Sequence, residues 1–224
     1  MAWWLQTEHD GECGKRISYA GDWTEESAAR IKAAEAQVAA EMIAKYFTPD
    51  PGPRPWPASP HDPILGTYTW TGFRHPMPDR PLEFRFEEKV DYLADCFGFI
   101  ITDKIRDVIE GIEPDVHQYL PCKLRYRDGT AVPERRWLLN ICNRLDTIAA
   151  EHSNILVDPA DGYYLTGNGP FDVKLWKRKV AGHAIWSEWK YNNRTYVADA
   201  LADAIRALDA HGWIFRTHLP EVDA

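Results

Sequence analysis

An α+β fold with a mixed, mainly antiparallel sheet and a few helices is what this sequence predicts, and three observations carry the prediction. Short apolar strand candidates outnumber helical stretches, and tight turns divide them. The stretch from Phe99 to Leu124 reads as one strand–helix–strand unit. The same pattern then returns ninety-six residues later, with Asp103/Asp199, Ile105/Leu201, Asp107/Asp203 and Ile109/Ile205 in register.

The chain opens on a short aromatic strand, Ala2–Thr7, ended by a polar turn at Asp10-Gly11. Thr24 and the acids after it start a helix that runs to Phe47, where Pro49 and Pro51 stop it. Residues 48–63 contain seven prolines, an extended surface connector that cannot enter a sheet interior. Residues 64–86 alternate around aromatics and give irregular strands; 87–96 is a short helix or loop. Phe97–Ile101 is an apolar strand, Thr102-Asp103 a capping signal, and Ile105, Val108, Ile109 and Ile112 recur at helical spacing. His117–Leu124 is extended, and Leu-Pro closes this unit at 120–121 as it closes the second at 219–220. Arg127-Asp128-Gly129 turns a charged hairpin, and Arg136–Cys142 is a buried strand. Residues 143–148 form a polar turn or short helix, and Ile155–Val157 resumes a strand. Phe171–Lys177 and Ala184–Trp189 are further strands, joined across the basic Lys177-Arg178-Lys179. Residues 1–63 thus form a strand, helix and connector ahead of an α+β domain at 64–224, the whole making one compact unit. Ile105, Ile109, Leu139, Ile141, Leu201 and Ile205 take the inward phase and are predicted core.

The net charge is −8, and the excess lies early: residues 1–98 hold 16 acidic and 10 basic side chains. Such a chain repels phosphate backbones and attracts a basic protein partner. Ten Trp and ten Tyr are many for 224 residues, and fit either a binding surface or aromatic core filling. The four cysteines are far apart with no CxxC, the first residues lack a signal-peptide pattern, and no run is long enough to span a membrane. A reduced, cytoplasmic protein is expected.

Chemistry is sought with little return. The eight histidines are scattered, so no metal site and no cofactor are expected. Glu151-His152-Ser153 is the nearest approach to a catalytic cluster, though a helix end also explains it. No nucleophile elbow or phosphate cradle is present. The carboxylate pairs Asp91/Asp95, Asp103/Asp107 and Asp199/Asp203 lie four apart; the first of each repeat pair opens a helix and the second faces solvent. The aromatic-basic run 174–179 has the composition of a single-strand nucleic-acid binder, but reads better as a solvated strand edge.

Taken in order, FGFIITDKIRDVIEGI, VHQYLPCKL, RRWLLNICNRLDTIAAEHS, VAGHAIWSE and YVADALADAIRALDAHGWIF resemble the bacterial immunity-protein family of polymorphic toxin systems, immunity family eleven. KVDYLADC looks like the family's acidic lead-in, and the likeness runs from about Val90 to Phe215. Segment 24–63 carries none of these motifs. The resemblance implies a cytoplasmic protein that binds and neutralises a cognate toxin without catalysis, having no catalytic residues to carry over. From the charge, the lack of an apolar span and the scattered ligand residues, no cofactor and no nucleic-acid or membrane partner are expected. On that footing the expected toxin-binding anchors are Trp176, Trp186, Trp189 and Tyr191, which alternate with charged residues. Strand geometry puts Trp186 and Glu188 on one face and Trp189 on the other. Two other functions stay open: a small hydrolase using Glu151, His152 and Ser153, and a regulatory or scaffold domain docking through its proline run.

Overall fold

The computed structural model describes residues 1–7, 17–19, 81–86, 94–97, 99–158, 164–166, 172–188, 190–191 and 194–223. The expected helix at 24–47, the proline run and the strands before residue 81 lie outside these residues. Within them the fold is α+β, and most strand pairs are antiparallel.

One sheet has five strands: β1 (Ala2–Thr7), β8 (Arg144–Leu145), β12 (Ile185–Glu188), β13 (Thr195–Ala198) and β14 (Trp213–Leu219), in the order β14-β1-β13-β12-β8. The second has six: β2 (Ile17–Tyr19), β3 (Leu82–Phe86), β4 (Cys96–Phe97), β5 (Ile100–Thr102), β6 (Gln118–Arg125) and β7 (Arg136–Asn140), in the order β2-β3-β6-β7-β5-β4. Helices α1 (Asp103–Ile112) and α3 (Asp199–Ala207) pack on each other, and α2 (Lys177–Val180) is a single turn. Two ribbons complete the set: β9 (Ile155–Val157) with β10 (Tyr164–Thr166), and β11 (Leu175–Trp176) with β15 (Glu221–Val222).

The repeat in the sequence is a repeat in space. In the first unit β5 leads through α1 to β6, and β7 lies between the two strands, antiparallel to both. In the second β13 leads through α3 to β14, and β1 occupies the same middle place. The middle strand follows its unit in one case and comes from the start of the chain in the other. Residue 2 therefore belongs to a sheet completed near residue 219.

Alternation along these strands creates three apolar clusters. Ile101, Leu139 and Ile141 from one sheet meet Leu5, Ile185 and Val197 from the other around Ile105, Ile109, Leu201, Ala202 and Ile205 of the helices. All six residues assigned to the core are at most 1% exposed. Ile100, Leu120 and Leu138 point to the opposite face of the six-stranded sheet. Ala2, Trp186 and Tyr196 do the same in the five-stranded sheet, beneath Ile148, Tyr164, Val173 and Leu175.

The structure corrects several local expectations. Phe97–Ile101 is not one strand but a tight hairpin, β4 onto β5, because Phe99 takes a φ of 66°. Thr102 stands at the helix N-cap but its side chain caps nothing. The next residue, Asp103, accepts from Trp137 Nε1 at 2.7 Å and from Arg135 at 3.1 Å instead. Residues 144–145 are a strand, because Asn143 is held by Ile185 and Ser187 and so lies alongside β12. The basic segment 177–179 is a helical turn, and the strand before it is only Leu175–Trp176. Pro121 does not end β6; the ladder to β3 begins one residue later at Cys122, where the missing N–H of proline costs no bond to that neighbour.

Gly212, at φ +94°, brings the loop before β14 against the backbone of Cys96, and Cys96 N–H donates to the His211 carbonyl at 3.1 Å. A Cβ at this position would overlap the Cys96 carbonyl. Gly212→Ala is therefore expected to cost about 1–3 kcal/mol, from the left-handed backbone and the displaced strand together. A chemical-denaturation midpoint equal to that of the parent protein would contradict it.

Candidate functional site

The sequence directs attention to residues 176–191, and the structure separates their aromatic members. Trp186 and Tyr191 are both 0% exposed. Ile185 of β12 faces the helices, whereas Trp186 turns to the opposite cluster, where Ile148, Tyr164, Val173 and Leu175 cover it. Both faces of β12 are thus enclosed by this chain itself. Trp176 is half-buried; its ring meets His152 edge-on at 5.5 Å, and Arg178 lies 5.9 Å from its centroid. Trp189 lies outside the described residues.

Thr147 ties this region together. Its carbonyl accepts the Trp176 N–H at 2.8 Å, and its hydroxyl oxygen accepts Trp186 Nε1–H at 3.2 Å. The same hydroxyl donates to Glu188 Oε2 at 2.6 Å, and the Thr147 N–H donates to that oxygen at 2.9 Å. Glu188 is wholly enclosed, and its other oxygen makes no hydrogen bond among the described residues. Burial pushes its carboxyl up to about 8; the Thr147 bonds oppose this only in part, and the nearby Asp146 charge reinforces it. Asp146 itself faces outward, taking the Tyr164 hydroxyl at 3.1 Å with Lys190 at 3.3 Å and Lys179 at 3.7 Å.

A second polar centre forms where α1 ends. Glu113 is buried, yet five donors converge on it. Asn143 Nδ2 at 2.7 Å and His183 Nδ1 at 3.2 Å reach Oε1. His117 Nε2 at 3.2 Å, Ala184 N–H at 2.9 Å and Ile185 N–H at 3.5 Å reach Oε2. Burial alone would raise this carboxyl; the bonds from His117, His183, Ala184 and Asn143 outweigh it and hold it well below the usual carboxylate range. His117 Nδ1 accepts the Cys142 N–H at 3.3 Å, which fixes the proton on Nε2. The carboxylate therefore clamps the first repeat unit to β12 of the other sheet.

The candidate triad does not assemble as a nucleophile with its base. Ser153 Oγ donates to the Ala149 carbonyl at 2.7 Å and accepts the Lys174 N–H at 2.9 Å, closing the 3-10 turn Ala150–His152. Glu151 and His152 are exposed, and the His152 ring rests on Trp176. The paired aspartates fall as the repeat implies: Asp103 and Asp199 open their helices, while Asp107 and Asp203 face solvent beside Arg106 and Arg206.

Sequence reasoning missed an exposed apolar strip. Among the described residues, three of the five exposed large hydrophobics sit in the β9–β10 ribbon: Leu156 at 54%, Val157 at 52% and Leu165 at 46%. The sequence reading placed Ile155–Val157 in a strand ended before Gly162, but it did not find the second strand, Tyr164–Thr166, that pairs with it.

Among the described residues no helix is long and apolar enough to cross a membrane, and no group of His, Cys, Asp or Glu is placed to hold a metal ion. The geometry defines a class: an α+β domain with two related split units, whose buried Glu113 joins the two sheets. The chain belongs to the Immunity protein family (Imm11), whose model matches residues 22–219. That match also takes in segment 24–63, for which the motifs gave no counterpart. None of the curated proteins matches the chain.

Proposed function

We propose that this protein binds a cognate toxin inside the producing cell and neutralises it by occlusion, with no chemistry of its own. The observation that carries this reading is its membership of the immunity family across most of its length. The geometry supports it as well. Glu113 is fully engaged in joining two sheets, Glu188 is sealed from solvent, and the Ser153 hydroxyl is engaged in a turn. Of the expected anchors, Trp176 is the described one that keeps exposed surface. Tight inhibition then depends on slow dissociation from a desolvated aromatic and aliphatic centre, with charge setting the rate of capture.

The test is co-expression with the toxin encoded by the adjacent gene, scoring survival. Cells carrying the parent protein should grow. Cells carrying the triple variant Glu151→Ala, His152→Ala, Ser153→Ala should grow equally well, since a binder needs no triad. A triple variant that folds and binds toxin yet leaves cells unprotected would instead identify an enzyme.

A further inference from the structure

We infer that the β9–β10 ribbon is the surface that receives the toxin, and that the matching patch on the toxin is apolar with a basic surround. The inference rests on the immunity reading above. In the ribbon Leu156 stands directly opposite Leu165, and Val157 opposite Tyr164. Directly opposed residues share a face, and neighbours along a strand alternate. Ile155 and Tyr164 therefore seat one face on the cluster around Trp186, as their packing there confirms. Leu156 and Leu165 form the outward face.

A two-stranded ribbon with one seated face ordinarily turns polar side chains to water. This one presents a leucine pair, with no further strand on either side among the described residues. The adjoining 3-10 turn carries His152 against half-buried Trp176, which extends the strip toward an anchor expected from the sequence.

Charge selects the occupant. Glu151 acts electrostatically on Tyr164 of β10, Asp158 follows β9 directly, and Asp172 accepts the Asn154 N–H through its carbonyl just before β9. Glu151 and Asp158 bracket β9 along the chain, and Lys174, paired with Asp172 at 3.7 Å, offsets the third acid. In the neighbouring basic turn Lys177 pairs with Asp223 at 3.6 Å and Lys179 with Asp146 at 3.7 Å, while Arg178 lies 5.9 Å from the Trp176 ring centroid. A second copy of this chain, docked ribbon to ribbon, would set the acids against their own counterparts. A partner with Lys and Arg around an apolar centre meets them favourably, and the net charge of −8 steers it in.

The experiment compares the parent protein with Leu156→Asp/Leu165→Asp, using as probe the purified toxin encoded by the adjacent gene. Both substitutions face outward, so the melting temperature should hold while dissociation of the toxin accelerates on the order of a hundredfold. Hydrogen exchange on the parent complex gives an independent readout: amides of 155–157 and 164–166 should gain protection when toxin is added. Equal dissociation rates, with no protection in the ribbon, would overturn the assignment and leave the immunity reading standing. A parent protein that does not bind the toxin at all would overturn both. A parent dimer that the double variant abolishes, with toxin binding intact, would make the ribbon a self-association surface and refute the proposal.

Discussion

Glu113→Gln should destabilise the protein by about 3–5 kcal/mol, the cost typical of breaking a buried charged network by changing one member. The amide keeps the shape but replaces one acceptor oxygen with a donor. On either side it meets N–H groups: Asn143 and His183 at one oxygen, His117, Ala184 and Ile185 at the other. At least one would be left unpaired in a dry interior. Because the carboxylate joins the α1–β6 loop to β12, the loss weakens the junction of the two sheets. For a chain of this size the melting temperature should fall on the order of 10 °C. The pH dependence has a definite sign. The folded carboxyl titrates below its ordinary value of 4.5, so its contribution is present above that pH and fades as the solution is acidified. An acid limb shallower in the variant than in the parent is expected; a variant melting at the parent temperature would contradict the clamp.

Glu188→Gln should act in the opposite direction. Its carboxyl titrates near 8 when folded and near 4.5 when unfolded. Between these values the folded state holds a proton that the unfolded chain has released. Stability from this group is therefore complete below 4.5 and declines as pH rises, by up to about 1.4 kcal/mol per unit, until the folded group ionises near 8. Glutamine does not titrate, so the variant should lose this slope and surpass the parent by a few kcal/mol at pH 8. Thr147 can still donate to the amide oxygen, which keeps the bonds at 2.6 and 2.9 Å in place. Parallel stability–pH curves for the two proteins would rule out the buried neutral acid.

The two glutamates mark where the sequence was legible and where it was not. The apolar period of α1 and α3, and their aspartates at matching positions, gave the repeat directly, since helix phase is written in local spacing. The fold class followed from the same short-range pattern. What local spacing lacks is partnership at long range. Glu113 lies 70 residues from His183 and Glu188 lies 41 from Thr147. Nothing near either residue says that it is buried. Trp186 shows the same limit: alternation gave it a face, but only the approach of Tyr164 and Val173 shows what covers that face of β12. The leucine strip escaped notice because only Ile155–Val157 was read as a strand; its partner Tyr164–Thr166, set between Gly162 and Gly167, carries too little pattern to stand out.

Whether the protein works by occupancy is best measured by titrating the toxin proposed above, purified and at fixed concentration, with increasing amounts of this chain. Occlusion predicts that toxin activity falls linearly and vanishes at one chain per toxin, and that dissociating the complex restores it. Loss of activity at a small fraction of that ratio, or activity that does not return on dissociation, would show turnover and contradict the account.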